Sequence, residues 1–161
     1  MDVPRVTLRE MTEDEYGSFI AGVQDAVVRE LVATMSEEEA RATAAGGITQ
    51  YLPQGLATPQ HTLLIAEDAA GIPVGSVWVG PDPHRLDGTD AAWLYDINVY
   101  PRARRKGYGS AILAEVEALV VRDGKIRLGL NVVGANVAAI ALYRKSGYAV
   151  STMQMSKPLR R

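Results

Sequence analysis

Three consecutive cations, Arg104, Arg105 and Lys106, run into Gly107-Tyr108-Gly109-Ser110 and then straight into a stretch with helical apolar spacing. A helix start offers N–H groups without intrahelical acceptors and the positive end of the helix dipole. Both favour anions, phosphate above all. Gly107 and Gly109 let the backbone come close to a ligand where a Cβ would block it. The arrangement suits a pyrophosphate. The same residues also describe a solvated basic loop with a tight glycine turn, and the turn by itself does not choose between the two. Two better-known phosphate motifs do not fit. Gly-x-x-x-x-Gly-Lys-Ser/Thr does not occur, and Gly-x-Gly-x-x-Gly is absent from this turn.

Upstream, Asp96 and Asn98 share one face of the strand that feeds the turn. A carboxylate there can take a proton directly or through water, given a suitable pKa. It can equally serve a neighbouring loop or helix cap. Tyr95 is a second candidate base that also reads as a core residue. His61 begins a strand and has no obvious partner, and His84 sits in a turn-rich loop.

The elements that must position these groups follow from periodicity. Val6-Thr7-Leu8-Arg9 reads as a first strand. Thr12 and Glu15 have capping-box spacing, and Tyr16, Ile20, Val23, Val27 and Leu31 follow on one helical face. Ser36 and Glu39 open a second helix that should end before Pro53-Gln54-Gly55. Residues 61–66 and 73–79 read as a hairpin around Asp68–Gly71. A second turn-rich loop runs from Pro81 through Asp87-Gly88. In the strand over 92–99, alternation puts Trp93, Tyr95, Ile97 and Val99 on one face and Leu94, Asp96 and Asn98 on the other. After the glycine turn, Ile112, Leu113, Val116, Leu119 and Val120 form the stripe of a helix that Gly124 can end. Ile126, Leu128, Leu130 and Val132 alternate as a strand. Asn136 can cap a last helix ending near Gly147, with Arg144 and Lys145 against the dipole in its final turn. Tyr148–Ser156 reads as a final strand. The order is strand, two helices, three strands, helix, strand, helix, strand: an α/β or α+β fold with helices on the faces of a sheet.

With 161 residues and no repeat or low-complexity linker, the chain reads as a single domain over 1–161. Seventeen basic residues against nineteen acidic ones give a net charge of −2, which argues against a general nucleic-acid binder. No cysteine is present, so there is no thiol nucleophile and no Cys-ligated zinc. Two histidines do not make a histidine-rich metal site, and no metal is expected. The N-terminus lacks the plan of a signal peptide, and no apolar run approaches the ~20 residues of a membrane span. The expectation is a cytoplasmic protein without membrane or nucleic-acid partners.

Ile97-Asn98-Val99-Tyr100-Pro101 followed by Arg104-x-x-Gly107-x-Gly109 resembles the coenzyme-binding signature of the GNAT superfamily of N-acetyltransferases, Arg/Gln-x-x-Gly-x-Gly/Ala after a strand. The run Asn131 … Asn136-x-x-Ala139-x-x-Leu142-Tyr143-x-x-x-Gly147-Tyr148 resembles the family's second motif. Order and separation agree with the family from about residue 6 to residue 157. The resemblance implies a single GNAT-like domain with a mixed, mostly antiparallel sheet. It implies that backbone groups of Ile97 and Val99 hold the pantetheine arm in a strand-like pairing, where parallel strands splay apart, and that Arg104, Arg105, Lys106, Gly107, Tyr108, Gly109 and Ser110 hold the pyrophosphate. It further implies that Asn136 contacts the coenzyme arm and that Tyr143 is the general acid. Acetyl-CoA would be the acyl donor.

Two departures stand out. Arg105 replaces a glycine common directly after the first Arg of the signature. Only ten residues run from Tyr148 to Lys157, so one strand replaces the usual two. One wall of the substrate pocket is then missing or comes from another subunit, and a homodimer is compatible with this. Acetyl transfer needs a neutral amine, a placed thioester, oxyanion stabilisation and a proton for the thiolate. Asp96 is the candidate base and Tyr143 the candidate acid; as a bare residue, Tyr143 also reads as a core or rim aromatic. Acidic Glu13, Asp14, Glu37, Glu38 and Glu39 could attract a cationic amine or simply complement helix dipoles. Tyr16, Phe19, Tyr51 and Trp78 could line an acceptor pocket or belong to the core. The expected activity is transfer of acetyl to a small-molecule or peptide primary amine. The competing reading is a non-catalytic acyl-CoA-binding module of the same fold.

Overall fold

A computed structural model describes residues 2–85 and 90–160. The chain divides into two compact units, Met1–Asn131 and Val132–Arg161.

The first unit holds one mixed five-stranded sheet with strands in chain order: β1 (Thr7–Glu10), β2 (Thr62–Glu67), β3 (Pro73–Pro81), β4 (Ala91–Val99) and β5 (Arg127–Leu130). The first four pair antiparallel; β4 and β5 pair parallel. Helices α1 (Glu13–Leu31) and α2 (Glu37–Tyr51) follow β1, and α3 (Tyr108–Arg122) crosses from β4 to β5. The asymmetry of the pairing follows from connection length. A hairpin turn suffices between antiparallel β2 and β3, whereas the parallel step needs a crossover helix.

Local chemistry fixes the ends of these elements. Thr12 Oγ1 accepts from Glu15 N at 3.3 Å, and Glu15 Oε2 accepts from Thr12 N at 2.9 Å. Ser36 and Glu39 repeat the box at 3.2 and 3.0 Å. Arg9 ties the first box to the sheet, donating to both Glu15 oxygens at 2.8 and 2.9 Å and to Glu67 at 2.6 Å. Asp68 Oδ1 accepts from Ala70 N and Ile72 N, and Gly71 turns at φ +78°, closing the β2–β3 hairpin. Asp87 and Gly88 of the second expected loop lie outside the described residues.

Beneath α3, the largest fully buried side chains are Val77, Ile112, Leu113 and Val116. Gly75 of β3 sits against this layer. A Cβ there would lie 2.9 Å from Ile112 Cδ1 and collide with the Asn98 carbonyl oxygen. Another core cluster joins Met11, Phe19, Leu52, Leu63, Ile65 and Trp78, with Tyr16, Tyr51 and Tyr95 packed against it.

Strand β4 departs from the expected alternation. Val79 opposes Leu94 but Trp78 opposes Asp96, so Tyr95 is an extra residue in a β-bulge. The bulge resets the faces. Trp93, Asp96 and Asn98 now share the face of Trp78, while Leu94, Ile97 and Val99 share the face of Val77 and Val79. The ring of Tyr95 stacks on Trp78 with centroids 4.7 Å apart.

The second unit holds α4 (Val137–Lys145), capped by Asn136 Oδ1, which accepts from Ala139 N at 3.2 Å. The helix ends at Gly147 with φ +94°, where Gly147 N donates to Arg144 O and Tyr148 N to Tyr143 O. That is the expected glycine terminator with its paired carbonyl bonds. The final strand expected over Tyr148–Ser156 does not form. Val150, Met153 and Met155 are 61, 71 and 85% exposed there. Alternating apolar residues make a strand only when a neighbouring strand accepts and donates the ladder bonds. No such ladder forms among the described residues of this segment.

Candidate active site

The pyrophosphate candidate is built where β4 passes into α3. Pro101–Ala103 makes a single 3₁₀ turn, and Gly107 then enters α3 as its N-cap at φ +86°. A cap with no side chain leaves no hydroxyl or carboxylate to satisfy the first N–H groups, and none is found. The first bond into the helix is Ala111 N to Gly107 O at 3.2 Å. Among the described residues, the backbone N–H groups of Arg105, Lys106, Gly107, Tyr108, Gly109 and Ser110 have no backbone acceptor. The first turn of α3 contains no acidic residue. A row of open donors at a positive dipole end, free of carboxylates, fits a diphosphate.

The three cations act differently from one another. Arg104 Nε donates to Val99 O at 2.9 Å, and Lys106 Nζ to Arg102 O at 3.1 Å, so both side chains brace the turn. Arg105, itself at φ +62°, has an exposed side chain. Its left-handed backbone explains why a glycine is acceptable at this position.

The strand leading into the turn has an open edge. Pairing between β4 and β5 ends at Leu94 and Leu130, yet β4 runs on to Val99. Tyr100 N donates to Val74 O at 2.9 Å, so the pairs Gly75–Val99 and Val77–Ile97 are the non-hydrogen-bonded ones. The N–H and C=O of Ile97 and Val99 therefore point away from β3, toward the side where β5 has stopped. The Val99 carbonyl is taken by Arg104. The remaining groups can receive an extended amide chain as a strand would.

On the Trp78 face, Asp96 is largely buried, and burial alone pushes its carboxyl up to about 6. No hydrogen bond or ion pair to Asp96 is found among the described residues. Trp78 lies opposite it on β3, and Tyr51, His61 and Tyr95 pack round Trp78. Tyr51 and Tyr95 centroids are 5.2 Å apart, and His61 and Tyr95 5.3 Å. Tyr95 donates to Pro81 O at 2.7 Å, and burial pushes its phenol up to about 12. That engagement and the raised pKa argue against Tyr95 as a base. His61, without a partner in the sequence, has one here: Trp78 Nε1 donates to its Nδ1 at 3.0 Å. Gly80 makes room for the ring, since a Cβ there would lie 2.5 Å from Nδ1. Nothing in the sequence pairs His61 with Trp78; the β2–β3 register does.

The second unit holds the other two candidates. Asn136 spends its Oδ1 on capping α4. Tyr143 lies in α4, its ring centroid 5.8 Å from that of Tyr148. A surface groove of about 560 Å³ bordered by Thr7, Arg9, Glu10, Thr62, Glu115 and Arg122 contains none of the candidate residues.

The sequence profile of the Acetyltransferase (GNAT) family matches residues 12–148. The chain belongs to this GNAT family. It is 29% identical over 155 residues to YdgE, an uncharacterized N-acetyltransferase of Bacillus subtilis, covering 95% of this chain and 98% of that protein. The crystal structure of YycN from the same organism is 28% identical, with a TM-score of 0.88 over 97% of this chain and 99% of that one. The aminoglycoside N-acetyltransferase AAC(6')-Iy, solved with a CoA-containing bisubstrate analogue, shares the fold. Its TM-score is 0.60 at 16% identity, over 98% of this chain and 99% of that one. Both sequence motifs of this GNAT member, at Arg104–Gly109 and Asn136–Tyr148, fall inside the matched range. No helix among the described residues is long and apolar enough to cross a membrane.

Proposed function

We propose that this GNAT protein transfers an acetyl group from acetyl-CoA directly to a primary amine. The observation that carries the reading is the row of open N–H groups from Arg105 to Ser110 at the start of α3, continuous with the open edge of β4 at Ile97 and Val99. A diphosphate followed by an extended amide-bearing arm is the chemistry those two features accept together, and coenzyme A has that form. Acetyl-CoA supplies an activated thioester when bound. The chain's own groups do the rest.

Asp96 takes a proton from the acceptor ammonium, freeing the nitrogen lone pair. The nitrogen attacks the thioester carbon, and an open backbone N–H of β4 stabilises the oxyanion. The carbon–sulfur bond breaks, Tyr143 protonates the leaving thiolate, and the nitrogen sheds its second proton to the Tyr143 phenolate, directly or through water, which restores the phenol. Asn136 contributes from the head of α4 by contact with the coenzyme arm. The products are an N-acetyl amine and free CoA.

A panel of primary amines, with CoA release as the readout, tests this reading. Turnover of at least one amine is expected. Tight acetyl-CoA binding with no turnover across the panel would favour a non-catalytic module. Tyr143→Phe is expected to lower kcat by about 10²-fold or more, the usual value of a positioned acid, with little change in acetyl-CoA affinity. Unchanged turnover removes Tyr143 from the mechanism.

A further inference from the structure

The face of the sheet that carries Asp96 has a composition that says something about the acceptor. Trp93 and Asp96 of β4 and Trp78 of β3 share that face through the bulge, and Tyr95 stacks on Trp78. Tyr51 of α2 and His61 complete an aromatic wall with centroid separations of 5.2 and 5.3 Å from Tyr95. Trp78 is buried, but Tyr51, His61, Trp93 and Tyr95 are only half-buried, so ring surface remains open.

This wall carries no positive charge of its own. His61 accepts from Trp78 Nε1 at Nδ1, so its proton sits on Nε2 and the ring is neutral. Protonating Nδ1 would set two N–H donors against each other, and burial also lowers the His61 pKa. A cation arriving here meets a carboxylate with no donor and aromatic faces that attract it.

The negative charge on the aromatic face itself is small. Of the acidic residues at the helix starts, Glu15 is held by Arg9, Glu37 by Arg41 and Glu39 by Ser36, while Glu13, Asp14 and Glu38 are exposed, where solvent screens them. Asp82, whose charge also reaches Tyr95, accepts from His84 N at 2.9 Å and lies beyond the β3 end of the wall. Asp96 is thus the one carboxylate on the aromatic face without a partner among the described residues. A polyamine, with several cations to satisfy, finds one anion here. A monoamine on a flat apolar body finds one anion and a stack of rings.

We propose that the acceptor is a primary monoamine borne on an aromatic or similarly flat apolar body, seated on Tyr51 and Tyr95 with its nitrogen at Asp96. This rests on the reading that the Asp96 face receives the acetyl acceptor. It names what that face selects.

The test uses the full chain with CoA bound and reads amine binding by calorimetry, independently of turnover. The probes are 2-phenylethylamine, n-butylamine and spermidine. Phenylethylamine is expected to bind at least about tenfold tighter than either of the others, the scale of one aromatic contact set. Tyr51→Leu should abolish that preference while leaving n-butylamine affinity within about twofold. Asp96→Asn should weaken all three amines and keep the preference. Equal affinities, a preference for spermidine, or an unchanged preference in Tyr51→Leu overturns the proposal. If Tyr51→Leu does not fold by circular dichroism, the conservative Tyr51→Phe must keep the preference, and its loss there also overturns the proposal. Phenylethylamine binding without acetylation would leave this subsite standing and remove the catalytic reading. Turnover that favours spermidine would do the reverse.

Discussion

Asp96 is the residue of the first unit on which the proposed proton transfer rests. Burial without a partner raises its carboxyl from 3.8 to about 6. A base must be deprotonated to act, so activity should rise with pH through an acid limb centred near 6, and Asp96→Asn should lose both that limb and most turnover. A pH–rate profile checks this, and an unaltered limb in the variant would end the base assignment. The same shift has a stability consequence of opposite sense. The folded state holds this proton more tightly than the unfolded chain, so stability falls as pH rises from about 4 to about 6. At about 1.36 kcal/mol per pKa unit, the loss amounts to about 3 kcal/mol above that window. Asp96→Asn should therefore melt higher than the parent at about pH 7.5, with the gap shrinking toward about pH 4. Thermal melts at the two pH values decide it; a gap independent of pH refutes the linkage. As a candidate, Asp96 was legible in the sequence. Its surroundings were not, because simple alternation put Tyr95 on the opposite face. A one-residue bulge leaves no mark in an apolar pattern that is otherwise strictly alternating. His61 was invisible for a related reason: its partner Trp78 is seventeen residues away and is brought to it by the strand register.

At the scale of elements, the helix starts were legible and their consequences can be tested. Gly107 caps α3 at φ +86°, and a Cβ there would lie 3.1 Å from Pro4 Cδ. Gly107→Ala should cost about 1–2 kcal/mol in backbone strain, and it should weaken acetyl-CoA binding by tenfold or more by displacing the open N–H row. Calorimetry with acetyl-CoA reads the second effect and a melt the first; full affinity in a destabilised protein would mean that the row does not hold the diphosphate. At α1, Arg9 and the Thr12 backbone hold the Glu15 carboxyl well below its ordinary 4.5, at about 2. Its contribution is present above about 4.5 and is lost as pH falls through about 2. Glu15→Gln should thus cost about 1 kcal/mol at neutral pH and almost nothing near pH 2, as denaturation midpoints at the two pH values can show. The caps of α1, α2 and α4 were readable because each depends on residues three apart. The expected strand over Tyr148–Ser156 depended on a partner strand, which a local pattern cannot supply.

At the scale of the whole molecule, what the sequence made legible was order and separation. The strand–turn–helix at Arg104–Gly109 and the capped helix at Asn136–Gly147 came at the spacing of one family, and the profile match over 12–148 agrees. The β4–β5 opening was implied by the family resemblance and by no local pattern, because it depends on where a parallel ladder stops, at Leu94 and Leu130. That opening bears on how acetyl moves. The chain has no cysteine, so a thioester on the enzyme is excluded, and the course proposed above is attack by the amine on the bound thioester itself. Direct attack requires both substrates on the protein at once. Initial rates measured at several fixed amine concentrations should therefore give intersecting double-reciprocal lines against acetyl-CoA. Alkylation with iodoacetamide at neutral pH, where thiols react first, should leave the rate unchanged. Parallel lines would mean that acetyl rests on the protein between substrates. In that case the roles given to Asp96 and Tyr143 would have to be reassigned around an oxygen or nitrogen nucleophile.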